Sequence, residues 1–210
     1  MKKLLIPLFS LFFLYSPSVF ADDLSDFQIE GISIGDSLLD YMTEEEILEE
    51  IELSLSLNEY FYLNEPKKYV EVYLFGSSST YEAGLAFFVN NTPTSEYITN
   101  KNEKYIILSV RGMKNFIEDS DGCIQKRNEI AGEVSKMFPN AQKNEISYSH
   151  AADPSGKSIR DDINFKFKSG GSINVICVDF EETFRIKNNQ SEGLDITIRT
   201  EEILRWFQDR

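Results

Sequence analysis

The spacing of apolar residues changes twice along this chain, and each change narrows the folds open to it. Between Ser37 and Leu53 the residues Leu38, Leu39, Met42, Ile47, Leu48 and Ile51 recur at intervals of three and four with acids between them, the period of an amphipathic helix. From residue 68 the period shortens. Three runs, 68–76, 84–90 and 104–112, are rich in β-branched and aromatic residues and end in Gly, Asn, Ser, Thr or Pro, which predicts three antiparallel strands. A helical period returns from Cys123 to Phe138 and stops at Pro-Asn. Three more strand-like runs follow at 162–170, 172–180 and 194–200, and a short helix closes the chain after Thr200. Helix, three strands, helix, three strands, helix predicts an α+β fold: antiparallel sheet with helices packed on one face, rather than a doubly wound enzyme. The same order reads as two tandem halves, 30–118 and 119–210, sharing one core, or as one six-stranded sheet.

The entry to the first helix carries the letters Gly-Asp-Ser-Leu at 35–38, which also open the active site of a large family of esterases. That chemistry needs a base for the Ser37 hydroxyl and donors for an oxyanion. The single histidine, His150, has Ser147 three residues before it and Asp153 three after, the reverse of the order the esterases use. The local pattern favours a helix start instead. Gly31 and Gly35 supply turns, Asp36 or Ser37 caps a short helix, and Thr43 with Glu46 forms a capping box for the next one. Glu44, Glu45 and Glu46 then sit at the positive end of a helix dipole.

Residues 1–21 have the character of an export leader. Lys2 and Lys3 precede an apolar stretch broken by Pro7, Ser10, Ser16 and Pro17, and Val19 and Ala21 stand at −3 and −1 of a cleavage site. Cleavage after Ala21 leaves 22–210 as one α+β domain, periplasmic or secreted, with no later segment apolar enough for membrane insertion. The formal charge of −14 moves to about −16 once Lys2 and Lys3 are lost. Such a surface repels phosphate backbones and anionic headgroups, so nucleic acid is excluded as a partner.

Export gives the two cysteines their meaning. Cys123 and Cys177 are far apart in sequence and even in number, which predicts a disulfide in an oxidising compartment. With one His and no Cys-x-x-Cys pair, no metal site and no cofactor are expected. "AADPSGKS" at 151–158 fits a relaxed phosphate-loop pattern, but an alternating strand follows where that motif needs a helix, so it reads as a loop between strands. "EDSDGC" at 118–123 lacks the final acid of a calcium loop, and Asp121 reads as the cap of the second helix. His150, Asp153 and Lys157 form a candidate polar cluster on the same loop. Tyr69, Tyr73, Phe87 and Tyr105 are candidate aromatics on the sheet.

The stretch from Phe27 to Ile47, with Ile-Glu-Gly and then Ser-Ile-Gly-Asp-Ser-Leu-Leu-Asp-Tyr before an acidic helix start, resembles the N-terminal signature of a group of small exported proteins from marine bacteria. The resemblance implies export and transfers no catalytic residue. The rhythm of two short helices before antiparallel sheet is similar to β-lactamase-inhibitor-like domains and to the lipoproteins of outer-membrane assembly, although this chain lacks their lipidated Cys. Together these readings predict an exported, non-enzymatic domain that binds a protein or envelope partner through a sheet face or edge. The alternatives are a hydrolase using Ser37 and a carrier of a divalent cation or small ligand.

Overall fold

Capping fixes where the first helix begins. The computed structural model describes residues 23–57, 68–76, 78, 80–91 and 103–209, so the leader and its cleavage site lie outside the described residues. Gly31 and Gly35 take positive φ, +79° and +89°, where a side chain would be strained. Ser37 then caps a 3-10 turn at Leu38–Asp40, and Thr43 starts α1, Glu44–Ser56, with both bonds of the capping box in place. The Thr43 amide donates to Glu46 Oε2 at 2.8 Å, and the Glu46 amide donates to Thr43 Oγ1 at 3.2 Å.

The remaining elements are β1 Tyr69–Leu74, β2 Gly84–Asn90, β3 Ile107–Asn115, α2 Ser120–Met137, β4 Gln142–Ser149, β5 Ile159–Lys166, β6 Ser172–Asp179, α3 Glu182–Lys187, β7 Gly193–Arg199 and α4 Glu201–Gln208. The fold is α+β, with one antiparallel sheet of seven strands in the order β1-β2-β3-β7-β6-β5-β4. Each strand run in the sequence has its counterpart, and one strand is added. β4 is unforeseen, and the run expected at 162–170 begins earlier, at Ile159, because its first residues pair with the end of β4. Residues 167–170 form a turn instead, closed by the Gly170 amide on the Phe167 carbonyl at 2.9 Å. Helix α2 also starts earlier than expected, at Ser120, and its cap is Asp119 rather than Asp121: Asp119 Oδ1 accepts the Gly122 amide at 3.0 Å.

Register sorts the strand residues onto two faces, because directly paired residues point the same way. One face holds Val72, Phe87, Val110, Ile196, Val175 and Ile163, each 1 % exposed or less. Helix α2 covers its C-terminal half, where Ile130, Ala131 and Val134 are buried, and α1 packs against β1. Cys123 in the first turn of α2 is bonded to Cys177 of β6 with Cα atoms 6.0 Å apart, which fastens helix to sheet. Arg127, 5 % exposed on the sheet-facing side of α2, donates to Glu145 of β4 at 2.8 Å.

The opposite face is polar over β3, β7, β6 and β5. Among the described residues α4 covers its β1–β2 end and reaches β3 and Arg199 of β7. There α4 folds back, with the Trp206 ring 4.9 Å from Tyr69 and the Phe207 ring 5.2 Å from Phe88, while Tyr69 Oη donates to Glu202 Oε1 at 2.5 Å.

Candidate functional site

Ser37 is built as a structural cap. It is 3 % exposed, its hydroxyl donates to the Lys104 carbonyl at 2.8 Å, and its Oγ accepts the Leu39 amide at 3.3 Å. His150 belongs to a different part of the molecule. It directly follows β4, its ring lies edge-on to Phe180 at 4.8 Å, and Nδ1 accepts the Ala152 amide at 3.3 Å. Burial and then the nearby Arg160 hold its pKa below the ordinary histidine value.

The loop that carries His150 also carries Asp153 and Lys157, as the sequence implies, but these side chains have different tasks. Asp153 is 5 % exposed and organises the turn: its carboxylate accepts the hydroxyls of Ser155 and Ser158, each at 2.7 Å, and their amides at 2.8 and 3.0 Å. Those bonds, the Ser155 hydroxyl foremost, hold its pKa well below the usual carboxylate range. Ser158 Oγ in turn accepts the Glu181 amide at 2.9 Å, which ties the loop to α3. Lys157 is exposed. The segment 151–158 is therefore a hairpin loop between β4 and β5, with no helix after it.

Of the four aromatics, Tyr69, Phe87 and Tyr105 are 5 % exposed or less and belong to the core rather than to an open surface. Tyr73 is half-buried and stacks at 5.7 Å on Phe75, which is exposed. Among the described residues no group of three His, Cys, Asp or Glu side chains is placed to hold a metal ion.

Two features remain that these structural roles do not absorb. The first is β4 itself. It pairs with β5 over all eight residues without a register shift, and every one of its residues is exposed. The His150 amide donates to the Ser158 carbonyl at 2.8 Å, so that pair is hydrogen-bonded. Alternation along an antiparallel ladder then turns the amides and carbonyls of Lys143, Glu145, Ser147 and Ser149 away from β5. Ile146 and Tyr148, 51 % and 41 % exposed, stand on the polar face of the same strand. By contrast, four of the six residues of β1, at the other edge, are buried.

The second is the polar part of the sheet face away from α2. Arg111 of β3 donates to Asp195 of β7 at 2.5 Å, and Arg160 Nε donates to Asp162 of the same strand at 2.8 Å. Arg199 of β7 lies opposite Ser109 and Ser172, both buried.

No known protein family, curated protein or solved structure matches this chain. The function must therefore be read from these two features. Neither was visible beforehand, although one signal existed: Arg111 and Arg199 each lie near the end of a strand-like run, where a cation is costly unless it has a task.

Proposed function

We propose that this chain is an exported, non-enzymatic binding domain that takes up an extended segment of a protein partner of the cell envelope along the free edge of β4. The observation that carries the reading is an eight-residue edge strand, exposed throughout and unbroken by Pro or bulge, whose only guarding charges are one Lys and one Glu. Proteins blunt such strands with Pro, bulges, short length or inward-pointing charge. β4 has no Pro, no bulge and full length, and it adds an exposed Ile and Tyr. Four residues offer both backbone groups outward, which is the template for strand addition.

The occupant we favour is a neutral or basic segment, not a second copy. A chain of net charge −14 repels its own kind, whereas β4 itself is neutral, with Lys143 balancing Glu145. Export rests on the leader-like first 21 residues, and the Cys123–Cys177 disulfide is consistent with a location outside the cytoplasm.

A photo-crosslinking residue at Tyr148, installed in the full chain in cells, tests this. A discrete adduct is expected, and adding Ser147→Pro should abolish it, since Pro removes one outward amide without touching the β5 ladder. An adduct of twice the chain mass would make the occupant a second copy. An adduct indifferent to Ser147→Pro, or none at all, would overturn edge binding.

A further inference from the structure

The sheet face away from α2 holds a cation whose hydrogen-bonding capacity is not met. Arg199 Nε is shielded from solvent and has no hydrogen-bond partner, and no described residue forms an ion pair with this side chain. The Phe207 ring of α4 lies against it, with the ring centroid 5.9 Å from the guanidinium carbon. The neighbouring arginines are each matched: Arg111 by Asp195 and Arg160 by Asp162. The carboxylates acting on Arg199 from a distance are Asp195, already bonded to Arg111, and Glu71 on β1, separated from β7 by β2 and β3. Burial, then the charges of Arg111 and Arg160, lower the pKa of Arg199 below the usual arginine range.

A second unmet group lies on the same face. Asn164 Oδ1 of β5 is buried and accepts nothing, while its Nδ2 donates to Asn174 at 2.8 Å. These are the two buried side-chain atoms without a partner among the described residues, and both face away from α2. Buried polar groups are rarely left unsatisfied unless a ligand, ion or water completes them. Arg111, diagonal to Arg199 across the β3–β7 pair, keeps 36 % of its side chain exposed, so solvent reaches the neighbourhood of the site.

We infer that this face is a binding site for a compact oxyanion, a carboxylate or phosphate group, received by Arg199 between the small side chains of Ser109 and Ser172. A planar guanidinium with free donors is matched to such a group, and bidentate contact would satisfy Nε together with a terminal nitrogen. The overall negative charge of the chain does not oppose this, since a desolvated local charge outweighs distant ones that salt screens. The inference is independent of the β4 edge, which lies three strands away.

The test is a titration of the isotope-labelled mature chain with acetate and, separately, with inorganic phosphate, at constant ionic strength held by chloride. The Nε–H signals of the arginines are followed by nuclear magnetic resonance. A saturating shift of the Arg199 signal and of the Ser109 and Ser172 amides is expected with at least one oxyanion, with the preferred one naming the ligand class. Arg199→Gln should remove the saturable response and leave the Arg111 signal in place. No saturable shift with either anion would overturn the site on the wild-type protein alone, whether or not the variant folds. A response that persists in Arg199→Gln would overturn it as well.

Discussion

Single acids hold the loops of this protein in place, and Asp153 is the most heavily used. It accepts four hydrogen bonds from Ser155 and Ser158 within one hairpin loop. Because its native pKa is depressed, the folded state takes up a proton less readily than the unfolded chain does. The stability it adds is therefore complete above the ordinary Asp pKa of about 3.9 and is lost as pH falls below that value toward the native one. Urea titrations of wild type and Asp153→Asn should differ by a constant amount between roughly pH 5 and 8, and the gap should close below about pH 4. A gap that stays constant to the lowest pH would remove the carboxylate from this role. The sequence brought Asp153 to notice for its neighbour His150, yet its hydrogen-bond partners are serines. Glu192 was missed altogether. It is 4 % exposed and accepts the amides of Glu118 and Phe180 at 2.6 and 3.1 Å, joining two loops far apart in sequence. No local pattern of residues encodes such a long-range bond.

Elements were legible in proportion to the apolar surface they bury. β2 and α4 have the bounds the sequence implies, 84–90 and a helix directly after Thr200, because Leu85, Phe87 and Val89 alternate on a covered face and Thr200 caps α4. β4 buries neither face, so alternation in Gln142–Ser149 is limited to Ile146 and Tyr148 among polar residues, a weak signal beside the apolar runs of the covered strands. α3 has six residues and no buried one, and is silent for the same reason. The element that sets the candidate edge was thus the least visible. α4 supplies a quantitative check on this view. Ile203 is wholly buried, and Trp206, the only Trp in the chain, sits beside it on the helix against Tyr69 and Phe88. Ile203→Ala should cost about 3 kcal/mol in urea unfolding, and Trp206 emission should report looser docking before the main transition. A loss below about 0.5 kcal/mol, typical of surface sites, would mean that α4 does not anchor the β1–β2 end.

At the scale of the molecule, the sheet is two meanders joined by a single seam, β3 to β7. β4 and β5 hang from that seam only through β6, so the proposed binding edge is the part of the sheet farthest from β3. The Cys123–Cys177 bond spans 54 positions of sequence that contain α2, β4, β5 and most of β6, and it fixes the helix that covers them. Cross-linking restricts the unfolded chain, and for a loop of this length the chain-entropy estimate is about 4 kcal/mol. That is a large share of the roughly 5–15 kcal/mol by which a domain is stable. Reduction of the wild type, verified by labelling of two thiols, and the double variant Cys123→Ser/Cys177→Ser should therefore lower unfolding free energy by similar amounts near that figure. Hydrogen exchange should locate the change, with amides of β5 and α2 losing protection before those of β2 and β3, since only the former lie within or against the closed loop. Uniform loss across all seven strands would show instead that the two meanders unfold as one unit and that the disulfide steadies the whole sheet.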